Sequence, residues 1–135
     1  MQITRQADYA LRAMLYLSRL DADIRAATSQ IADEQQIPPS FLAKIISQLS
    51  IAGLINTSRG ARGGVTLSRP AGDITLLDVV EAIDGPISLN VCSHGSGACP
   101  FGEDCPIQPI WSDAQIELVN RLKSTTFAQL VNQPQ

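Results

Sequence analysis

The 135-residue sequence predicts a mainly α fold carrying one β-hairpin, and three observations lead there. Apolar residues recur at helical spacing in four separate stretches. Only residues 54–68 read as extended chain, two short runs folded around the tip "SRGARGG". All three cysteines, Cys92, Cys99 and Cys105, crowd into "VCSHGSGACPFGEDCP", a segment without periodicity and rich in Gly and Pro.

One compact domain, or a small domain with an appendage, fits this length. No apolar run approaches a membrane span, and the opening "MQITRQADYALRAM" is too polar for a signal peptide, so the expected location is cytoplasmic, with no membrane partner. Thiols there stay reduced, which points a cysteine group towards metal or redox chemistry rather than a disulfide. The net charge of −3 is unevenly spread. Residues 1–69 hold eight Lys or Arg against five acids, a net +3, and residues 70–135 hold two against eight, a net −6. The two halves therefore suit different partners, and only the first suits a polyanion.

In "ITRQADYALRAMLYLSRL", Ala7, Leu11, Met14 and Leu17, with Ala10 alongside, form one apolar stripe and predict a first helix. A second short helix is expected from Thr28, whose hydroxyl would cap "SQIADEQQ", and it should stop before the prolines of "IPP". "SFLAKIISQLSIAGLI" opens with Ser40 as expected cap and places Leu42, Ile45, Ile46 and Leu49 at i, i+3, i+4 and i+7. The opposite face then carries Ser40, Ala43, Lys44, Ser47 and Gln48, small or hydrogen-bonding groups suited to a DNA groove. Two short helices with a polar, basic outer face on the second match a helix-turn-helix.

Extended runs over Leu54–Thr57 and Val65–Ser68 predict the hairpin. Its tip bears Arg59 and Arg62 among glycines that permit close backbone approach, so it can reach phosphates or a narrow minor groove. A helix-turn-helix followed by such a hairpin is a winged helix.

Beyond it, Thr75 and Asp78 are spaced as a capping box, Leu76, Val79, Val80 and Ile83 face inward, and Gly85-Pro86 ends the element. The cysteine loop follows. Its C-x6-C-x5-C spacing lacks the close pairs of structural zinc sites, while soft thiolates suit an iron-sulfur cluster whose shell another group completes. Last comes a long helix with Trp111, Ala114, Leu118 and Leu122 on one stripe, the tryptophan expected in the core, and a short helix capped by Thr125 or Thr126. Pairing with a second copy is the expected way to bury the long stripe. The expected units are residues 1–72 for DNA, 73–107 for a helix and the cysteine loop, and 108–135 for dimerisation and the C-terminal tail.

These segments together resemble the IscR/NsrR-type (Rrf-two) family of winged-helix iron-sulfur transcriptional regulators. The resemblance rests on "ADYALRAMLYL", "FLAKIISQLSIAGLI", "SRGARGGVTLSRP", "ITLLDVVEAIDGP" and the three-cysteine loop before a Trp-containing helix. It implies a homodimer on pseudo-palindromic double-stranded promoter DNA, with one cluster per subunit on Cys92, Cys99 and Cys105. In the IscR branch a histidine three positions after the third cysteine is the fourth ligand, but Gln108 stands there in this chain. In the NsrR branch an aspartate near the start of the first helix, supplied by the partner subunit, completes a four-iron cluster, and Asp8 occupies the matching place. The resemblance thus favours 4Fe-4S over 2Fe-2S. Asp8 also stands four residues before Arg12, the order that favours a surface ion pair. His94 is a second candidate ligand.

The expected function is transcriptional repression through Ser40, Lys44 and Gln48 at base edges and Arg59 and Arg62 at the backbone, with the cluster sensing nitric oxide, redox state or iron. A cluster-free thiol- or zinc-based regulator is the alternative. An enzyme is not expected, because no C-x-x-C is present and His94 is poorly placed as a base for Cys92.

Overall fold

The computed structural model of the chain describes residues 3–21, 23–61, 63–89 and 105–132. Arg62, Cys92, His94 and Cys99 lie outside the described residues.

Helix α1 (Arg5–Arg19) starts at Thr4, whose hydroxyl accepts from the Ala7 N–H at 3.1 Å and donates to Asp84 Oδ1 at 2.6 Å. It buries Ala7, Ala10, Ala13, Met14 and Leu17, and the three alanines let neighbouring helices approach closely. Leu11 of the expected stripe is only half-buried.

Helix α2 (Thr28–Gln35) and helix α3 (Pro39–Ile51) form the helix-turn-helix, but neither begins with the expected cap. Thr28 is already helical, and Ala27 before it provides no side-chain bond. Ser40 is the second residue of α3, which Pro38 and Pro39 open. A proline costs nothing in the first turn, where its missing N–H would have no helical partner and its fixed φ is already right. The prolines expected to stop one helix therefore start the next. Gln36 closes α2 in the left-handed region (φ 52°, ψ 50°), a cost of about 1–2 kcal/mol for a residue with a Cβ. Burial of Ile37, whose N–H bonds the Ala32 carbonyl at 3.0 Å, holds that turn.

Strands β1 (Ile55–Ser58) and β2 (Gly64–Leu67) pair antiparallel, with Ile55 opposite Leu67 and Ser58 opposite Gly64. Both start and stop one residue from the expected positions. On the β1 side the reason is that the Leu54 N–H is committed to the Leu49 carbonyl, which ends α3 (3.0 Å). Buried Ile55 and Val65 fasten the base of the hairpin to the core, and Val65 also pairs with Ala26 ahead of α2.

Helix α4 (Leu76–Asp84) has the capping box between Thr75 and Asp78 and ends at Gly85 with φ 79°. Val79 and Val80 are buried, and Leu76 and Ile83 pack half-buried against the same core. Helix α5 (Gln108–Lys123) buries no residue within the chain, and Trp111, expected in the core, is 41% exposed. Its outer face has no partner among the described residues. After α5, Thr126 caps helix α6 (Phe127–Val131), which returns to α1 and sinks Phe127 into the core cluster that also holds Met14, Ile74 and Val79. No helix among the described residues is long and apolar enough to cross a membrane.

Candidate functional site

Helix α3 sorts its side chains strictly. Leu42, Ile45, Ile46 and Leu49 are at most 7% exposed, which leaves Ser40, Ala43, Lys44 and Ser47 on the open side. The helix carries no acidic residue. Gln48 is half-buried, and its Oε1 is closed off from solvent without a hydrogen-bond partner among the described residues.

The wing stands beside that face with Arg59 exposed at its tip. Gly63 is required there, because a Cβ would collide with the Ser58 carbonyl and the Arg59 backbone. Between α3 and the wing lies a groove of about 530 Å³ whose lining includes Ser47, Ser50, Thr57, Ser58 and Arg59 and no carboxylate. Hydroxyls and a guanidinium suit the sugar-phosphate backbone of a nucleic acid. Sequence reasoning missed Arg25, whose Nη1 donates to Ser58 Oγ at 3.0 Å and braces the wing from the segment before α2. A lone arginine in a connecting segment gave no sign of this.

On the opposite side of α1 from the core, Asp8 and Arg12 form the expected i, i+4 pair, Oδ2 to Nη2 at 3.3 Å, both partly exposed. Arg12 does more than pair. Its Nη1 donates to the Gln35 carbonyl at 3.0 Å, and its guanidinium carbon lies 4.8 Å from the centroid of the Tyr9 ring. Tyr9 in turn meets Phe41 of α3, centroids 6.0 Å apart at 59°.

Cys105, which has no disulfide partner among the described residues, is half-buried and accepts at its carbonyl from the Gln108 N–H at 3.2 Å, just ahead of α5. The Gln108 amide donates to Ser112 Oγ at 2.9 Å, so the side chain at the IscR-branch histidine position is engaged on its own helix. The Leu89 N–H donates to Gln115 Oε1 at 3.1 Å, so both ends flanking residues 90–104 meet α5. Among the described residues no group of three His, Cys, Asp or Glu could hold a metal ion. Ser40 and Lys44 are exposed on α3 and Arg59 on the wing, and Asp8 stands on another element from Cys105.

A family model described as Rrf2, iron-dependent transcriptional regulator, matches residues 3–133. The chain belongs to the Rrf2 family. It is similar to Rv1287 of Mycobacterium tuberculosis, named as an HTH-type transcriptional regulator, at 33% identity over 131 residues, covering 96% of this chain and 81% of the relative. Among solved structures it resembles CymR of B. subtilis, described as the global cysteine regulator, with a TM-score of 0.83 at 25% identity over 100% of this chain and 99% of that one. IscR of T. potens shares the fold, with a TM-score of 0.79 at 21% identity over 100% and 93% of the two chains. This Rrf2 protein is a winged-helix, DNA-binding transcriptional regulator and not an enzyme.

Proposed function

We propose that this Rrf2 regulator is a cytoplasmic, homodimeric repressor whose hold on pseudo-palindromic promoter DNA is governed by an iron-sulfur cluster on Cys92, Cys99 and Cys105. The observation that carries the DNA reading is the acid-free open face of α3 beside a wing fastened by Val65 and Arg25. Ser40, Lys44 and Gln48 read base edges, and Arg59 and Arg62 take phosphate or the minor groove. Residues 1–72 do this work, residues 73–107 hold the cluster, and residues 108–135 join two copies. The unburied face of α5, with Ile110 65% and Ile116 58% exposed, supports the pairing.

The donor set fits the cluster. Three thiols are soft ligands for iron, Cys105 is half-buried just ahead of α5, and an exposed Asp8 from the partner subunit would offer a carboxylate as fourth donor. Asp8 must leave Arg12 to serve, and the preference for the 4Fe-4S form is what the family resemblance implies. When bound, the cluster supplies iron that reacts with nitric oxide, oxidants or chelators.

Purification under air-protected conditions tests this: iron, sulfide and visible absorption are expected together, and each of Cys92→Ala, Cys99→Ala and Cys105→Ala should lose them. Iron-free, colourless protein that still answers its inducer would end the cluster reading. The thiol of Cys105 and the likeness to CymR support a second reading, a thiol- or zinc-based regulator without iron, in which promoter binding changes with oxidant or zinc alone.

A further inference from the structure

From the contacts of α1 with the helix-turn-helix, we infer that Arg12 and Tyr9 are positioning residues for DNA reading. Together they fix how α3 is presented. The inference rests on the DNA-binding role of α3. The turn from α2 to α3 spans residues 36–38, and α1 grips both of its ends. Arg12 Nη1 bonds the carbonyl of Gln35, the last residue of α2, where carbonyls lack helical partners and the helix dipole favours a cation. Tyr9 contacts Phe41, the third residue of α3, next to Ser40 and one turn from Lys44. The guanidinium over the Tyr9 ring joins the two grips. Asp8 completes the arrangement by holding the second terminal nitrogen of Arg12.

The planar fork of arginine can serve a carboxylate and a carbonyl at once, which a lysine cannot do in one geometry. Asp8 therefore orients Arg12, Arg12 orients the α2 terminus, and the tilt of α3 follows. Neither Arg12 nor Tyr9 needs to touch DNA for this. The consequence is specific: loss of Arg12 should blur base discrimination without removing a phosphate contact.

The probe is the duplex that the wild-type chain enriches from a random pool, measured against a scrambled duplex over a salt series, with melting followed on the same samples. Arg12→Ala should cut the preference for the enriched duplex about tenfold while leaving the salt slope unchanged. Arg12→Lys should recover only part of it. Phe41→Leu, which keeps apolar bulk and removes the ring, provides a folded variant should Arg12→Ala melt. A folded Arg12→Ala or Phe41→Leu protein with full preference overturns the inference, as does a salt slope that falls by about one unit, since Arg12 would then be a direct phosphate contact. Lys44→Ala separates the two readings: if it too leaves the preference intact, the reading of α3 has failed and not the positioning alone.

Discussion

The backbone N–H of Phe127 donates to the carbonyl of Ile74 across 3.1 Å, joining the last helix of the chain to the segment that leads into α4. The Leu76 N–H returns the bond to the Thr125 carbonyl at 3.0 Å, and the Phe127 ring fills the core between them at 1% exposure. The acidic second half of the chain is thereby built into the hydrophobic core of the basic first half.

Phe127→Ala should destabilise the protein by about 3–5 kcal/mol, because a large buried ring is lost and the cavity left in the core cluster that also holds Met14, Ile74 and Val79 cannot fully collapse. Urea denaturation measures it. A loss below about 1 kcal/mol would mean that α6 does not hold the core together.

Gly63→Ala should damage the wing while sparing the core. The added Cβ meets the Ser58 carbonyl and Arg59 backbone, which cannot move without opening the β1–β2 pairing. DNA affinity should fall, and thermal melting should change little. Unaltered affinity would remove the wing tip from the interface.

Arg59→Ala should weaken binding to all duplexes alike and reduce the salt slope by about 0.9, the signature of one released counterion. Lys44→Ala should instead cost about 1–3 kcal/mol against the preferred duplex relative to others. Equal loss of preference in both variants would show that backbone and base contacts are wrongly divided between α3 and the wing.

Ile110→Asp should leave the monomer fold within about 0.5 kcal/mol of the parent, since the side chain is 65% exposed in the single chain. Sedimentation should nevertheless show monomers, because a carboxylate would be buried in the α5 pairing. A variant that remains dimeric places the subunit contact elsewhere.

The two-sided character of α3 was legible in the sequence. The inward face of α3 follows from the spacing of Leu42, Ile45, Ile46 and Leu49, because a helix turns by a fixed angle per residue whatever lies around it. The Thr75–Asp78 box was readable for the same reason, its bonds spanning three residues. The cap at Ser40 was misread because Pro38 and Pro39 stop one helix and start another with equal ease, and only the path of the chain selects between them.

Sequence alone therefore determined the helices, the hairpin, the polar face of α3 and the family. Tertiary structure alone decided that Phe127 enters the core, that Trp111 stays exposed, and that Arg12 reaches across to Gln35 as well as to its neighbour Asp8. The division has a physical cause. Periodicity and capping act over one or two turns, while burial and long side-chain bonds depend on which distant segment the whole fold brings within a few ångströms.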